Sequence, residues 1–237
     1  MVMRRRRWLS ENQAKPQELR LPNGSSAHEL LASFSESLNS VGAMKRAINT
    51  GNGNWQETTL DGPRLRRWML DASACVELAR SRIARLGFDE ALPPYRRVRI
   101  SPGGSFVLAC VSGSGFILLD GKWQRVRPGM VCLAPPRVLN AFYAAGSERW
   151  SFAWVRYDEP AFVAPVVGAS SPVVSKARAD EASRLVSGLR AEWEGEREPR
   201  MIHHWLELTQ ATVRRFAQPW RSREPRVTKL WTEVGED

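Results

Sequence analysis

One strand-like segment carries the residues best suited to recognise a small molecule. In Trp150–Tyr157, the two-residue period of a β-strand puts Trp150, Phe152, Trp154 and Arg156 on one face. Sugars present apolar C–H faces to flat rings and hydroxyl groups to fixed donors, and a guanidinium brings five donors in a rigid fork. This face therefore suits a carbohydrate. The alternative is that the rings are ordinary core residues.

Further polar residues can face the same interior. Asn140 and Phe142 share a face of a neighbouring strand-like run, and Arg97 and Arg99 lie two positions apart on another. An arginine on a buried face needs a partner, so Arg156 favours a pocket over a plain core. For Arg97 and Arg99 the alternative is the protein surface, where arginine is most common.

Residues typical of enzymatic or metal chemistry are scarce in this part of the chain. Residues 92–160 contain no histidine, and their acids lie at turns or at strand ends. The histidines are His28 and the adjacent pair His203 and His204, which a helix would point about 100° apart, so we interpret the pair as a packing or surface pair. The sequence therefore predicts no catalytic residue, no metal site and no cofactor.

Composition indicates a globular protein. The 237 residues include ten tryptophans, the mean hydropathy is −0.38, and no apolar run is long enough for a transmembrane helix. Cys75, Cys110 and Cys132 are an odd number without a zinc-binding spacing, and free thiols favour a cytoplasmic location. The formal net charge of +10 is typical of polyanion binders, but the one basic run, Arg4–Arg7, is better interpreted as a solvated tail.

The pattern along the chain divides it into three parts. Residues 1–91 form an N-terminal extension, predicted to be partly disordered, with a helix beginning after Ser26 and a second possible at 73–86. Residues 92–165 form a β unit, and residues 166–237 return to helical periodicity. The predicted C-terminal helices are Asp180–Glu196, Ile202–Ala217 and one beginning in Val227–Val234.

The β unit reads as seven short strands separated by turn residues. The dipeptide Asp120-Gly121, between two strand-like runs, is a strong hairpin signal. Strands at this spacing, without a βαβ pattern, predict a small antiparallel sandwich or barrel. The predicted strands are Tyr95–Ile100, Phe106–Val111, Gly115–Leu119, Lys122–Arg127, Met130–Ala134, Asn140–Ala144 and Trp150–Tyr157.

The order of motifs in Val111–Pro136 resembles the cupin sensor domain of AraC-type transcriptional regulators. The segment combines a Gly-x-Gly turn, a hairpin, the sequence Arg-Pro-Gly-Met, an apolar strand and Pro-Pro. The match continues to Pro160, and the segments at 206–220 and 230–234 look like the helices that link this sensor to a DNA-binding region. The resemblance covers about residues 95–234.

The resemblance implies a mainly β, α+β fold. A cupin or jelly-roll barrel would bind a small effector, often a sugar, between an N-terminal helical extension and C-terminal linker and dimerisation helices. Carried over by position, the implied pocket residues are Arg99, Phe142, Phe152 and Trp154. Phe142 and Phe152 are apolar where arabinose pockets tend to place tyrosine and histidine, which disfavours arabinose itself.

The helix predicted at Ile202–Ala217 carries Trp205, Leu208, Thr212 and Phe216 in register. Together with the resemblance, this stripe predicts a homodimer surface. Family members continue beyond the Leu-Trp-x-x-Val pattern into helix-turn-helix units. We therefore expect DNA contact only through a C-terminal domain that is absent from this chain, whether the chain is a truncated product or a fragment.

The sequence as a whole predicts the effector-sensing and dimerisation domain of an AraC-type transcription regulator. The alternative is a metal-free, isomerase-like cupin enzyme acting on a small sugar, which would need an acid and a base inside the barrel. A polyanion binder acting through Arg4–Arg7 is a third possibility. The identity of the effector, activation or repression, and the role of residues 1–91 stay open.

Overall fold

A computed structural model describes residues 57–220 of the chain. None of the helices within this range combines the length and apolarity needed to cross a membrane. The strands are β1 (Glu57–Leu60), β2 (Arg66–Asp71), β3 (Ile83–Ala91), β4 (Arg96–Arg99), β5 (Phe106–Ser112), β6 (Gly115–Leu119), β7 (Lys122–Val126), β8 (Met130–Ala134), β9 (Asn140–Ala144), β10 (Trp150–Tyr157) and β11 (Val173–Lys176). The helices are α1 (Val76–Arg80), α2 (Ala179–Glu194) and α3 (Pro199–Ala217), followed by a 3₁₀ turn at Gln218–Trp220.

The strands form two sheets whose pairings are all antiparallel. One sheet has the order β1-β4-β9-β6-β7 and the other the order β11-β8-β5-β10-β3-β2. Aromatic and aliphatic side chains of both sheets fill the space between them, as in a jelly roll. The predicted mainly β, α+β class with an antiparallel jelly-roll barrel is confirmed.

All seven strands predicted between residues 95 and 157 are present, with ends shifted by at most one residue. The turn between β6 and β7 shows why the hairpin was predictable. Asp120 and Gly121 have φ angles of 47° and 79°, and a two-residue turn of this type needs positive φ at both central positions. Aspartate tolerates this region and glycine occupies it without strain.

The predicted helix at 73–86 is wrong. Only Val76–Arg80 is helical, and the following segment is β3, which lies between β2 and β10. Gly87, predicted to end the helix, instead lies where a Cβ would be 2.3 Å from the Trp68 carbonyl oxygen of β2. Pairing on both sides of β3 overrides the helical spacing of Ile83 and Leu86.

Strands β1, β2 and β3 extend the two sheets into residues that the sequence analysis assigned to the N-terminal extension. The division of the chain into three parts otherwise stays a prediction. Three of its features lie outside the described residues: the helix after Ser26, the basic run Arg4–Arg7 and the helix beginning in Val227–Val234.

Strand β10 lies at the centre of the molecule because both of its faces are covered. Phe152 and Trp154 point between the sheets, as the two-residue period predicts. Ala153 and Val155 point to the opposite face, where they join a second core formed with α2 and α3. Burial on both faces explains why all eight residues of β10 are buried.

The four residues predicted to form a dimer surface do not share an exposed face. Thr212 is 4% exposed and Phe216 is 8% exposed, and both are buried within this chain. Trp205 is half-buried and packs against α2, whereas Leu208 is 52% exposed. The helical period thus identified the face of α3 that packs on its own domain. The predicted dimer surface is corrected for Thr212 and Phe216, which this chain buries itself.

Gly188 allows α2 and α3 to approach closely, since a Cβ at this position would lie 2.4–2.7 Å from ring atoms of Trp205. We expect Gly188→Ala to lower the free energy of unfolding by about 1–3 kcal/mol, because the Trp205 ring must move in a packed interface. Urea unfolding measures the effect. Ser187→Ala, an exposed change one residue away, is the control, and equal stabilities of the two variants would contradict this packing.

Candidate functional site

A cavity of about 150 Å³ lies between the two sheets. Its lining includes every residue that the sequence analysis proposed for ligand binding: Arg99, Phe142, Phe152, Trp154 and Arg156. These residues are separated by up to 57 positions in the sequence, so the fold brings them together. Their role in binding a ligand stays a prediction.

Opposite walls of the cavity come from opposite sheets. Strand β4 supplies Arg97 and Arg99, which pair in register with Phe142 and Asn140 of β9. Facing them, alternate residues of β10 supply aromatic rings and the Arg156 guanidinium. The alternation of both strands therefore aims their polar and aromatic side chains into one space.

Aromatic rings form the apolar side of the cavity. Phe106 and Phe142 stack with centroids 5.3 Å apart and planes 7° apart. The Arg99 guanidinium carbon lies 4.3 Å from the Phe106 centroid, within the range of a cation–π contact. Trp150 does not line the cavity; its indole Nε1–H donates to Cys110 Sγ at 3.2 Å, so for this residue the core interpretation holds.

Glu57 joins the two sheets through the cavity. Arg99 Nε donates to its Oε1 at 3.1 Å, and Arg156 Nη1 donates to its Oε2 at 2.9 Å. Burial alone would raise the pKa of the Glu57 carboxyl, but the charges of Arg99 and Arg156 outweigh burial and lower the pKa from 4.5 to about 2. Glu57 is therefore a fixed anion between two buried cations.

Asp89 orients a second group of cavity residues from β3. This carboxylate is 1% exposed and accepts hydrogen bonds from Arg67 at 2.7 and 2.9 Å. It also accepts from the Tyr95 hydroxyl and from the Trp154 indole Nε1–H, each at 2.9 Å. The indole N–H is thereby held within the protein, so Trp154 presents the apolar surface of its ring to the cavity.

Asp61 completes the set of carboxylates at the cavity. It forms ion pairs with Arg97 and with Arg67, and its side chain is 43% exposed. The Arg97 guanidinium carbon lies 4.7 Å from the centroid of the Tyr95 ring. The cavity thus has a more solvated side near Asp61 and a buried side near Arg99 and Arg156.

The buried polar groups without a hydrogen-bond partner among the described residues include Nη1 of Arg99 and the side-chain amide of Asn140, which lies directly opposite Arg99 in the β4–β9 register. Buried polar groups are normally hydrogen-bonded. Of these two residues, Arg99 lines the cavity, so its Nη1 is a candidate for contact with a ligand.

The sequence analysis missed the carboxylates Glu57, Asp61 and Asp89, together with Arg67 and Tyr95. All but Tyr95 belong to the part assigned to the N-terminal extension. One signal was available: Glu57–Leu60 is a short β-branched run followed by Asp-Gly-Pro, a strand and turn pattern. Its pairing with β4 could not be read from the sequence.

Other side chains that are capable of chemistry lie apart from the cavity or are unreactive. Cys110 and Cys132 are buried, and burial raises the pKa of their thiols to about 11 and about 12, so neither is a ready nucleophile. His203 and His204 lie exposed on α3 beside Glu207, as a surface pair. Between residues 57 and 220, no three metal-ligating side chains cluster as a metal site would require.

A larger depression of about 850 Å³ lies between α1 and α3, lined by side chains such as Arg80, Arg200 and His204. It is open to solvent, and the arginine and histidine side chains that line it are exposed. Ligand sites are normally concave and bury most of the ligand. The smaller cavity between the sheets is less open to solvent and is therefore the better candidate site.

The lowered pKa of Glu57 makes stability depend on pH. The unfolded chain protonates this carboxyl near pH 4.5, whereas the folded protein keeps it ionised to about pH 2. Its contribution of about 3 kcal/mol is complete above pH 4.5 and is lost as the pH falls through 2. We expect the stability difference between the native protein and Glu57→Gln to shrink over this range.

Urea unfolding of both proteins at intervals from pH 7 to pH 2 measures this difference. Glu194→Gln is the control, because Glu194 is half-exposed on α2 and pairs only with the equally exposed Arg190 among the described residues. Parallel stability curves for the native protein and Glu57→Gln would contradict the buried ion pairs.

Part of the chain is similar to a described domain family. Residues 102–173 match the family model of the AraC-like ligand binding domain. This region includes Phe142, Phe152, Trp154 and Arg156, whereas Glu57 and Arg99 precede it. No curated protein sequence matches the chain.

Several solved structures are similar at low identity. The Cupin_2 domain of an XRE family transcriptional regulator from Enterobacter cloacae has 14% identity and a TM-score of 0.33, covering 39% of this chain and 95% of that one. A protein of Thermotoga maritima that is described as a predicted oxalate decarboxylase has 14% identity and a TM-score of 0.33. The alignment covers 50% of this chain and 94% of that one.

A protein of Pseudomonas aeruginosa with the provisional name glyoxylate-induced protein has 16% identity and a TM-score of 0.35. The alignment covers 57% of this chain, which spans about half the length of that protein (55%). These TM-scores are too low to establish a fold. The evidence for the jelly roll is therefore the strand order in the two sheets of this chain. Within this jelly roll, the match to the AraC-like ligand binding domain covers residues 102–173, which is less than half of the chain.

Proposed function

We propose that this chain senses a small effector for a transcription regulator of the AraC type, and that the effector binds in the cavity between the sheets. One observation carries the proposal: aromatic rings and guanidinium groups from both sheets converge on a space of about 150 Å³ between the sheets. That volume corresponds to roughly five water molecules at ~30 Å³ each, which suits a molecule no larger than a single sugar ring.

The state of the carboxylates favours a sensor over an enzyme. Glu57, Asp61 and Asp89 each accept hydrogen bonds from arginine. A general acid or base works best with a pKa near the operating pH, whereas the pKa of Glu57 is about 2. An isomerase-like reaction on a small sugar would need one of these groups to exchange protons near neutral pH, so it is the second candidate.

The lining also supports a polar ring as the effector. Phe142, Phe152 and Trp154 offer apolar surface to C–H groups, while Nη1 of Arg99 is a donor without a hydrogen-bond partner among the described residues. A carbohydrate or a closely related molecule combines both kinds of surface. DNA contact through a separate domain stays a prediction.

Thermal unfolding against a panel of monosaccharides and related acids tests the proposal, since a ligand that binds only the folded state raises the melting temperature. We expect at least one compound to do so, and Thr59→Trp to abolish the response by filling the cavity that Thr59 lines. Thr58→Trp is the matched control, because Thr58 is the exposed neighbour on the same edge strand.

A response lost equally in both variants, or retained in both, would place the ligand outside the cavity. No response from any compound would contradict the proposal as a whole. The two variants differ by one position and introduce the same ring, so a general effect of tryptophan on the strand cancels.

We further propose that the chain forms a homodimer through the outer face of α3. Met201 is 44% exposed and Leu208 is 52% exposed, one heptad apart on that face. In a two-fold symmetric dimer the same face of both copies meets, so this pair would pack against its counterpart on the partner. Sedimentation at micromolar concentration is expected to show a dimer that Leu208→Glu dissociates, while a native monomer would contradict it.

A further inference from the structure

The depression of about 850 Å³ between α1 and α3 brings together arginines from separate parts of the chain. One of its walls comes from α1 and the turn that follows it, and the other comes from α3. The walls are joined to each other, since Gln210 Nε2 on α3 donates to the Ser81 carbonyl oxygen at 2.7 Å. The lining includes the four arginines Arg80, Arg82, Arg200 and Arg214. The fold therefore holds four guanidinium groups around one open surface.

These four arginines are not paired within the described part of the chain. On the exposed surface of α2, by comparison, Arg184 pairs with Asp180 at 2.8 Å and Arg190 pairs with Glu194 at 3.1 Å. No carboxylate between residues 57 and 220 forms an ion pair with an arginine of the depression, and the guanidinium groups make no hydrogen bond in that range. Their N–H donors are therefore available to a separate molecule.

The two carboxylates in the lining contact other side chains. Glu207 lies 3.3 Å from His203 Nε2 and 3.5 Å from His204 Nδ1. Glu77 accepts a hydrogen bond from Cys75 Sγ at 3.3 Å. Neither carboxylate therefore neutralises an arginine of the depression by direct contact.

Two further carboxylates adjoin the depression without lining it. Glu198 caps α3 by accepting a hydrogen bond from the Met201 N–H at 2.6 Å. The backbone N–H of Asp158 donates to the Arg82 carbonyl oxygen at 2.9 Å. Neither carboxylate forms an ion pair with Arg82 or with the other arginines of the depression. The guanidinium groups are thus available because they are unpaired within residues 57–220, and not because carboxylates are missing from this surface.

Arg82 has a backbone conformation that costs energy for most side chains. Its φ is 54°, in the left-handed region that glycine adopts more readily than arginine does. The Arg82 side chain is exposed and makes no hydrogen bond or ion pair within the described residues. The turn itself therefore does not require arginine at this position.

From this geometry we infer that the depression binds the sugar–phosphate backbone of duplex DNA, with phosphate oxygens accepting hydrogen bonds from the four arginines. Guanidinium groups bind phosphate through paired, charge-assisted hydrogen bonds. Protein interfaces have apolar and aromatic cores, whereas DNA interfaces are polar and rich in positive charge. The described lining contains no phenylalanine, tyrosine or tryptophan, and Pro199 is its one apolar residue. The composition of this surface therefore favours DNA over a protein partner.

The inference goes beyond the sensing of an effector, but the choice of DNA over other polyanions rests on the proposed role in transcription. Contacts to the backbone carry no sequence information, so they would add affinity to a separate domain that reads bases. The surface also differs from the proposed dimer surface. Arg200 and Arg214 each lie one position before or after a heptad step from Met201 and Leu208, and neighbouring helical residues point about 100° apart.

Fluorescence anisotropy of the whole chain with two labelled duplexes of unrelated sequence tests the inference. We expect micromolar affinity that is equal for both duplexes and that falls steeply as salt rises from about 50 to about 200 mM, because binding to phosphates releases counterions. A strong preference for one sequence, or no binding at about 100 μM protein in the lowest salt, would overturn the inference.

A pair of double variants assigns the binding to the depression. Arg80→Gln combined with Arg200→Gln should make the slope of log affinity against log salt shallower by about two, since each phosphate contact contributes about one. Arg184→Gln combined with Arg190→Gln removes the same charge from paired arginines of α2 and should change the slope much less. Equal changes in the two double variants would overturn the assignment. Circular dichroism checks that each variant is folded.

Arg82→Gly separates the side chain from the turn that carries it. Glycine adopts the φ of 54° without strain, so we expect the urea midpoint of this variant to stay close to that of the native protein. Its affinity for both duplexes should nevertheless fall several-fold. Unchanged affinity in a folded Arg82→Gly variant would overturn the inference, and this single variant remains decisive if a double variant does not fold.

The basic run Arg4–Arg7 is a second possible source of DNA affinity, and it needs its own comparison. We expect Arg80→Gln with Arg200→Gln to reduce the slope equally in a chain whose Arg4–Arg7 are replaced by glutamine. An effect that disappears in that chain would overturn the inference. Poly-L-glutamate that binds as tightly as the duplexes would overturn the choice of DNA and favour an acidic protein.

These outcomes are independent of the thermal unfolding panel. A chain that does not bind DNA but responds to an effector keeps the proposed sensing function and loses only this inference. A chain that binds DNA through the depression but responds to no compound contradicts the sensing function instead. The two failures are thus distinguishable.

Discussion

The pairing of buried charges between the sheets is the constraint on which the rest of this structure depends. Arginines of β4 and β10 point inward, and a guanidinium without a partner in such an interior is costly. Their carboxylate partners come from β1 and β3 and from the turn after β1, through Glu57, Asp89 and Asp61. Residues 57–91 are therefore part of the domain for an electrostatic reason as well as through strand pairing.

Strand β10 connects the cavity to the helices. Its inner face lines the cavity with Phe152, Trp154 and Arg156, and its outer face packs on α2 and α3. A packed interior transmits small displacements because it contains few voids. A change at the cavity thus has a direct physical connection to the helical layer, which is where a sensor domain would need to deliver its signal.

The local patterns of the chain were informative wherever one interaction dominated. The Asp-Gly turn fixed the β6–β7 hairpin, and the two-residue period of β10 correctly separated its inner from its outer face. The helix predicted from periodicity at 73–86 was wrong. The helical spacing of Ile83 and Leu86 occurs there in β3, a strand that pairs with β2 and β10. Periodicity also assigned Thr212 and Phe216 to a partner, although this chain buries them itself.

By itself, the sequence determined seven of the strands, the mainly β class and the side chains of β10 that face the interior, because turn chemistry and residue period are local properties. The motifs also carried the resemblance to a ligand-sensing domain, which the match over residues 102–173 supports at the level of the domain. Only the tertiary structure decided which charges meet. Glu57 reaches Arg156 across 99 positions, and no local pattern encodes so distant a pairing. That contact places a buried carboxylate among the arginines of the expected pocket.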